Sequence, residues 1–85
     1  MDAATITAVF TAAATAQSWT RTNLGLTTQV SAEDGYRYTV RLPKDSGKAF
    51  IAGRDGHAGD ELLDIEATWG LTLPIVEAAM AATRI

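Results

Sequence analysis

The residues best suited to chemistry lie in one stretch, Gly-Arg-Asp-Gly-His-Ala-Gly-Asp-Glu-Leu-Leu-Asp, from Gly53 to Asp64. Glycines recur at every third position, and His57, the only histidine of the chain, stands among Asp55, Asp60, Glu61 and Asp64. Three chemistries suit such a loop. A calcium loop counted from Asp55 finds Asp55 and Glu66 at its ends and apolar Leu62 at its eighth position. However, His57 and Gly59 replace the oxygen ligands at the third and fifth, and Asp60 replaces the required glycine. A zinc site needs several histidines or cysteines, and the chain has no cysteine. A phosphate cradle needs backbone amides plus a cation, whereas Asp60 and Glu61 would repel an anion placed after Gly53, Gly56 and Gly59. The residues fit a structural turn better: the glycines reverse the chain from strand to helix, Asp60 caps that helix and Glu61 favours its dipole. No metal and no cofactor is expected.

Covalent catalysis has equally little to work with. Serines and threonines are plentiful, but no Gly-x-Ser-x-Gly turn sharpens one into a nucleophile. Asp60 and Asp64, four apart, fall on the solvated face of a helix expected over residues 60–69. Glu66 falls within that helix's apolar arc, where a carboxylate needs a cation, and Arg37 or Arg41 is the expected partner. The one enzymatic constellation left is His57 with Asp55 and Glu66, to which no substrate corresponds. The chain reads as a non-enzyme.

The elements that would position these groups follow from periodicity. Ala3 to Ser18 is helical, with Asp2 as cap; Ile6, Val9, Phe10 and Ala13 form its inner face, and Thr7, Thr11, Thr15 and Ser18 its outer one. Leu26, Thr28 and Val30 alternate as a strand, and Glu33-Asp34-Gly35 makes a turn. Tyr36, Tyr38, Val40 and Leu42 form a second strand with Arg37, Thr39 and Arg41 on its opposite face, ended by Pro43. Ala49 to Ala52 is a third, short strand. The helix over 60–69 buries Leu62, Ile65 and Trp69 and stops at Gly70. A last helix is capped by Thr72, carries Pro74 in its first turn and buries Ile75, Val76, Ala79 and Met80. The expected fold is a single α+β domain over residues 1–85, ordered α-β-β-β-α-α, its three-stranded antiparallel meander packed against the helices.

A chain of 85 residues has room for one thin core, and without cysteine that core stands on packing alone. Oligomerisation is a frequent remedy at this size. The net charge of −3 is unevenly spread. Residues 1–20 carry only Asp2; residues 21–54 carry six cations against three carboxylates; residues 55–85 carry six carboxylates against Arg84. The run from Ala3 to Thr20 is uncharged but weakly apolar, and Asp2 stands where a signal peptide needs a cation, so a cytoplasmic protein with no membrane segment is expected.

Two resemblances to nucleic-acid binders follow from the residues. Gly70-Leu-Thr-Leu-Pro-Ile-Val-Glu-Ala-Ala-Met80, preceded by Ala67, resembles the turn and second helix of a helix-turn-helix. Glu66 stands where that family has a small residue, and no cation precedes Arg84 on the would-be recognition helix. The order helix, three strands, helix is also similar to that of double-stranded-RNA-binding domains, which implies a lysine cluster where this chain has acidic Gly-His-Ala-Gly-Asp-Glu. Alternation puts Tyr36 and Tyr38 in the core, opposite Arg37 and Arg41.

What the composition favours is protein binding. The uncharged first helix and the alanine-rich last helix, with Ala78, Ala81, Ala82 and Ile85 outside its core face, expose small apolar surface of the kind interfaces use. The leading expectation is a small non-enzymatic interaction protein, a homodimer, whose acidic residues Asp60, Glu61 and Asp64 engage another protein's basic surface. In size and lack of catalytic motifs it is similar to phage and mobile-element accessory factors, among them inhibitors of host defence complexes such as anti-CRISPR proteins. The alternative is nucleic-acid binding through Arg37, Arg41, Lys44, Lys48 and Arg54, within the basic strand and loop segment 37–54, or through a degenerate helix-turn-helix at 60–84.

Overall fold

The structure, a computed structural model, describes residues 3–44, 47–55 and 65–83, with Arg54 and Asp55 described by backbone alone. Helix α1 (Ala3–Ala14) leads into a five-stranded antiparallel sheet whose strands lie side by side in chain order. These are β1 (Thr20–Thr22), β2 (Gly25–Ser31), β3 (Arg37–Pro43), β4 (Phe50–Asp55) and β5 (Ile65–Glu66), and helix α2 (Trp69–Thr83) ends the domain. α1 packs on β2 and β3 and against α2, so both helices share one side of the sheet. No helix among the described residues is long and apolar enough to cross a membrane.

α1 buries Val9, Phe10 and Ala13, with Ile6 half-buried beside them, and leaves Thr7, Thr11 and Thr15 exposed, the division its spacing predicts. It stops at Ala14 rather than Ser18. The last turn tightens through bonds from Thr15 N to Ala12 O and from Ala16 N to Ala13 O. Trp19 then enters the core, and the Ser18 carbonyl accepts a bond from Thr28 Oγ1 at 2.7 Å. An extended helix would deny both contacts.

The central hairpin is built on its period-two pattern. Val30 stands opposite Tyr38, Thr28 opposite Val40 and Leu26 opposite Leu42, all turned toward the helices. Its turn is held by Asp34, whose Oδ1 accepts the Tyr36 amide at 3.0 Å and whose Oδ2 accepts the hydroxyl of fully buried Tyr38. Gly35 takes the positive φ of 86° that this reversal needs. Against β4 the register shifts after Thr39: Thr39 faces Gly53 but Val40 faces Ile51, so Ala52 is the extra residue of a bulge.

Three expectations need correction. Thr20–Thr22 forms an additional strand, which its exposed residues give no apolar alternation to betray. Ile65 and Glu66, expected on a helix, form β5, with Ile65 opposite Ile51 and Glu66 opposite Phe50. The pattern from Ile65 to Ala67 is half-buried, exposed, buried, and the Ala67 amide continues the pairing by donating to Ala49 O at 2.7 Å. Pairing with the free edge of β4 thus overrides helical spacing. Third, α2 begins at Trp69, with Thr68 as its N-cap residue: the Thr68 carbonyl accepts the Thr72 amide at 2.9 Å. Gly70 therefore lies in the first turn of a helix instead of ending one. Pro74 is the sixth helical residue, past the turn where a missing N–H costs nothing. Thr72, expected as a cap, is buried inside α2, its hydroxyl donating back to Thr68 O at 3.1 Å. Among the described residues the order is α-β-β-β-β-β-α.

Candidate functional site

His57 and the acidic residues Asp60, Glu61 and Asp64 lie outside the described residues. Among the described residues no group of three or more metal-ligating side chains occurs. Glu66 is exposed on β5 and pairs with Lys48, Nζ to Oε1 2.9 Å, rather than with Arg37 or Arg41. Both side chains are about half exposed, so the pair contributes little, on the order of 0–1 kcal/mol. The helix-turn-helix resemblance falls largely within the single helix α2, and the strand β5 stands where its first helix would end.

The cations expected to form a nucleic-acid surface are divided. Arg37 and Arg41 lie on the sheet face turned away from the helices, as alternation requires, while Tyr38 is buried on the other face with Tyr36 partly buried beside the core. Pairing aligns Thr20, Thr27, Arg41, Phe50 and Glu66 in one row across this open face. Lys44 belongs to a different place, the turn after β3. Arg54 extends β4 opposite Tyr38 by backbone pairing.

That turn borders an apolar concavity. α2 buries Thr72, Ile75 and Ala79, and its Ala78, Ala81 and Ala82 lie beside the end of α1. On its other flank, Trp69, Leu73, Val76 and Met80 follow at intervals of four, three and four, the spacing that keeps side chains on one helical stripe. No helix among the described residues covers this stripe. Trp69, Leu73 and Met80 are 63%, 53% and 55% exposed. Together with Leu26, Leu42 and Pro43 from the ends of β2 and β3, the stripe lines an open groove of about 500 Å³. Arg21 and Lys44 are its only charged lining residues among the described residues.

Local sequence shapes the groove's floor. Gly25 adopts φ 139°, and a Cβ there would stand 2.2 Å from the Leu42 carbonyl oxygen and 2.9 Å from Pro43 Cα. Only glycine lets β2 start this close to the end of β3. The preceding turn is fixed by Thr22, whose hydroxyl donates to Gly25 O at 3.0 Å and accepts the Leu24 amide at 3.2 Å. The Lys44 amide ties the same turn to β3 by donating to Leu24 O at 3.2 Å. This holds Leu24, 65% exposed, next to the groove and sets Lys44 at its rim. At the other end the Trp69 ring lies against Gly47, 3.5 Å from where a Cβ would be.

The sequence reading missed this site for one reason, the misplaced start of α2. It assigned Trp69 to the core of an earlier helix and Met80 to the core face of a later one. With the helix begun at Trp69, the stripe is legible at its 4-3-4 spacing.

A groove with aliphatic and aromatic walls and two cations can desolvate apolar side chains, and among the described residues it holds no nucleophile beside a base. Exposed contiguous apolar surface of this kind marks sites of association. A second surface, the outer face of α1 with Ala3, Ala4, Thr7, Ala8 and Thr11, is made of small residues and is bordered by Glu33. No protein-family model, curated protein or solved structure matches the chain.

Proposed function

We propose that the protein is a small non-enzymatic interaction module, an accessory or inhibitory factor that works by occupying another protein. The observation that carries this reading is the uncovered stripe of Trp69, Leu73, Val76 and Met80 over a floor of sheet residues. Leaving three large apolar side chains more than half exposed on one helix sacrifices burial of roughly 1.5–3 kcal/mol for each fully covered side chain. A binding partner recovers that term. The acidic residues Asp60, Glu61 and Asp64 are proposed as a separate contact for a basic surface.

Native mass spectrometry of tagged protein, purified gently from its own cells, tests both contacts at once. Wild type is expected to retain a protein partner, which Leu73→Asp loses. Reversing Asp60, Glu61 and Asp64 to lysine is expected to weaken the same complex while leaving thermal stability nearly unchanged. A partner retained in full by Leu73→Asp removes the groove from the account, and one retained by the triple reversal removes the acidic contact.

One observation favours a second reading, nucleic-acid binding on the open sheet face: Arg41 is flanked in register by Phe50 on β4, with Arg37 on the same face. Single strands are bound by such combinations of cation and aromatic ring. Affinity would then fall steeply with salt and be lost in an Arg37→Ala, Arg41→Ala double variant. Binding that is insensitive to salt, or that survives the double substitution, excludes this reading.

A further inference from the structure

Resting on the interaction reading above, we infer that the groove takes an acidic amphipathic helix from its partner. Shape comes first. From Trp69 to Met80 the stripe runs about 16 Å along α2, at about 1.5 Å per residue, or roughly three helical turns. The floor beside it is sheet, so the groove occupies the layer in which a further helix would lie, flanked by α2 and resting on Leu26 and Leu42. A helix laid there covers the stripe with aliphatic side chains spaced three and four apart, the recurring mode of helix-in-groove recognition.

Charge then selects among helices. Arg21 and Lys44 stand at the groove, and no carboxylate lines it among the described residues. Neither cation forms a salt bridge among those residues. An incoming helix with carboxylates flanking its apolar face meets two cations and, among the described residues, no like charge, whereas a basic one meets repulsion from both cations. A second copy of this chain fits less well. Its α2 offers Glu77 as its only described charge, while its own Arg21 and Lys44 would be drawn toward the same interface.

The test uses the full chain and two synthetic probes. One is an amphipathic helix with leucines at alternating intervals of three and four and glutamates on both flanks; its twin carries lysines for the glutamates. Affinity is read by fluorescence anisotropy and location by NMR of the labelled protein. The glutamate helix is expected to bind about tenfold more tightly than its twin, the advantage shrinking with salt. Shifts are expected at Trp69, Leu73, Val76, Met80 and Leu26. In an Arg21→Glu, Lys44→Glu variant the preference should reverse.

Equal binding of the two probes overturns the acidic preference but leaves the groove as a docking site. Binding of neither probe, with a sedimenting dimer that Leu73→Asp dissociates, assigns the groove to a second copy and overturns the inference. Binding of neither probe to a monomer also overturns it. If Leu73→Asp then keeps its cellular partner, the interaction reading through this groove fails as well. Circular dichroism and thermal melts of each variant separate lost binding from lost fold.

Discussion

Single residues carry the hairpin and the groove floor. Tyr38 is fully buried, and its hydroxyl reaches the Asp34 carboxylate that also caps the turn. Tyr38→Phe keeps the ring and loses a bond to a charged acceptor, so urea unfolding should show a loss of about 1.5–3 kcal/mol. Asp34→Asn should recover part of what Asp34→Ala loses, because the amide oxygen still accepts the Tyr36 N–H. Gly25→Ala is expected to be worse than its size suggests. The methyl meets the Leu42 carbonyl and the backbone sits at φ 139°, so the penalty should exceed about 1 kcal/mol in the same assay. A Gly25→Ala protein as stable as wild type would show that β2 does not need its close start. At this scale much was legible. The alternation from Tyr36 to Leu42 placed Tyr38, Val40 and Leu42 in the core and the arginines outside, because one strand with one buried face leaves no second solution. Glu66 was not legible, since its surroundings depend on a strand pairing distant in the chain.

Among the elements, α2 departs furthest from what its sequence prefers. It contains Gly70 in its first turn and Pro74 just beyond it, and Pro74 leaves the Gly70 carbonyl without its intrahelical donor. Gly70 is exposed, with open space where a Cβ would project, so Gly70→Ala should stabilise the protein by about 0.5–1 kcal/mol and raise the thermal midpoint. An unchanged or lowered midpoint would mean that the start of α2 is set otherwise. These two residues are why sequence reading divides the region into a helix ended by Gly70 and another begun near Pro74. Glycine commonly stops helices and proline commonly starts them; here the Thr68 cap and burial of Thr72, Ile75 and Ala79 against the core decide instead. β5 escaped for a related reason. Two residues are too few to show a period, and only the free edge of β4 reveals what they pair with.

At the scale of the whole molecule, the two helices among the described residues cover one side of a five-stranded sheet incompletely, and the part they leave uncovered is apolar. Replacing an exposed groove residue should therefore separate binding from stability. Leu73→Asp is expected to shift unfolding by no more than about 0.5 kcal/mol. Phe10→Ala, in the fully buried core, should cost about 3–5 kcal/mol. The same contrast distinguishes the two faces of the sheet: the helix side ends in a groove for apolar side chains, and the open side carries Arg37 and Arg41 among threonines. The central claim is that the first of these meets the partner. Its most direct test is side-chain NMR of the isotope-labelled chain, free and in the complex recovered from cells. Resonances of Trp69, Leu73, Val76 and Met80 should move or broaden on binding while those of Thr27, Thr39 and Arg37 stay in place. Changes confined to Thr27, Thr39 and Arg37, with the α2 stripe unmoved, would contradict it.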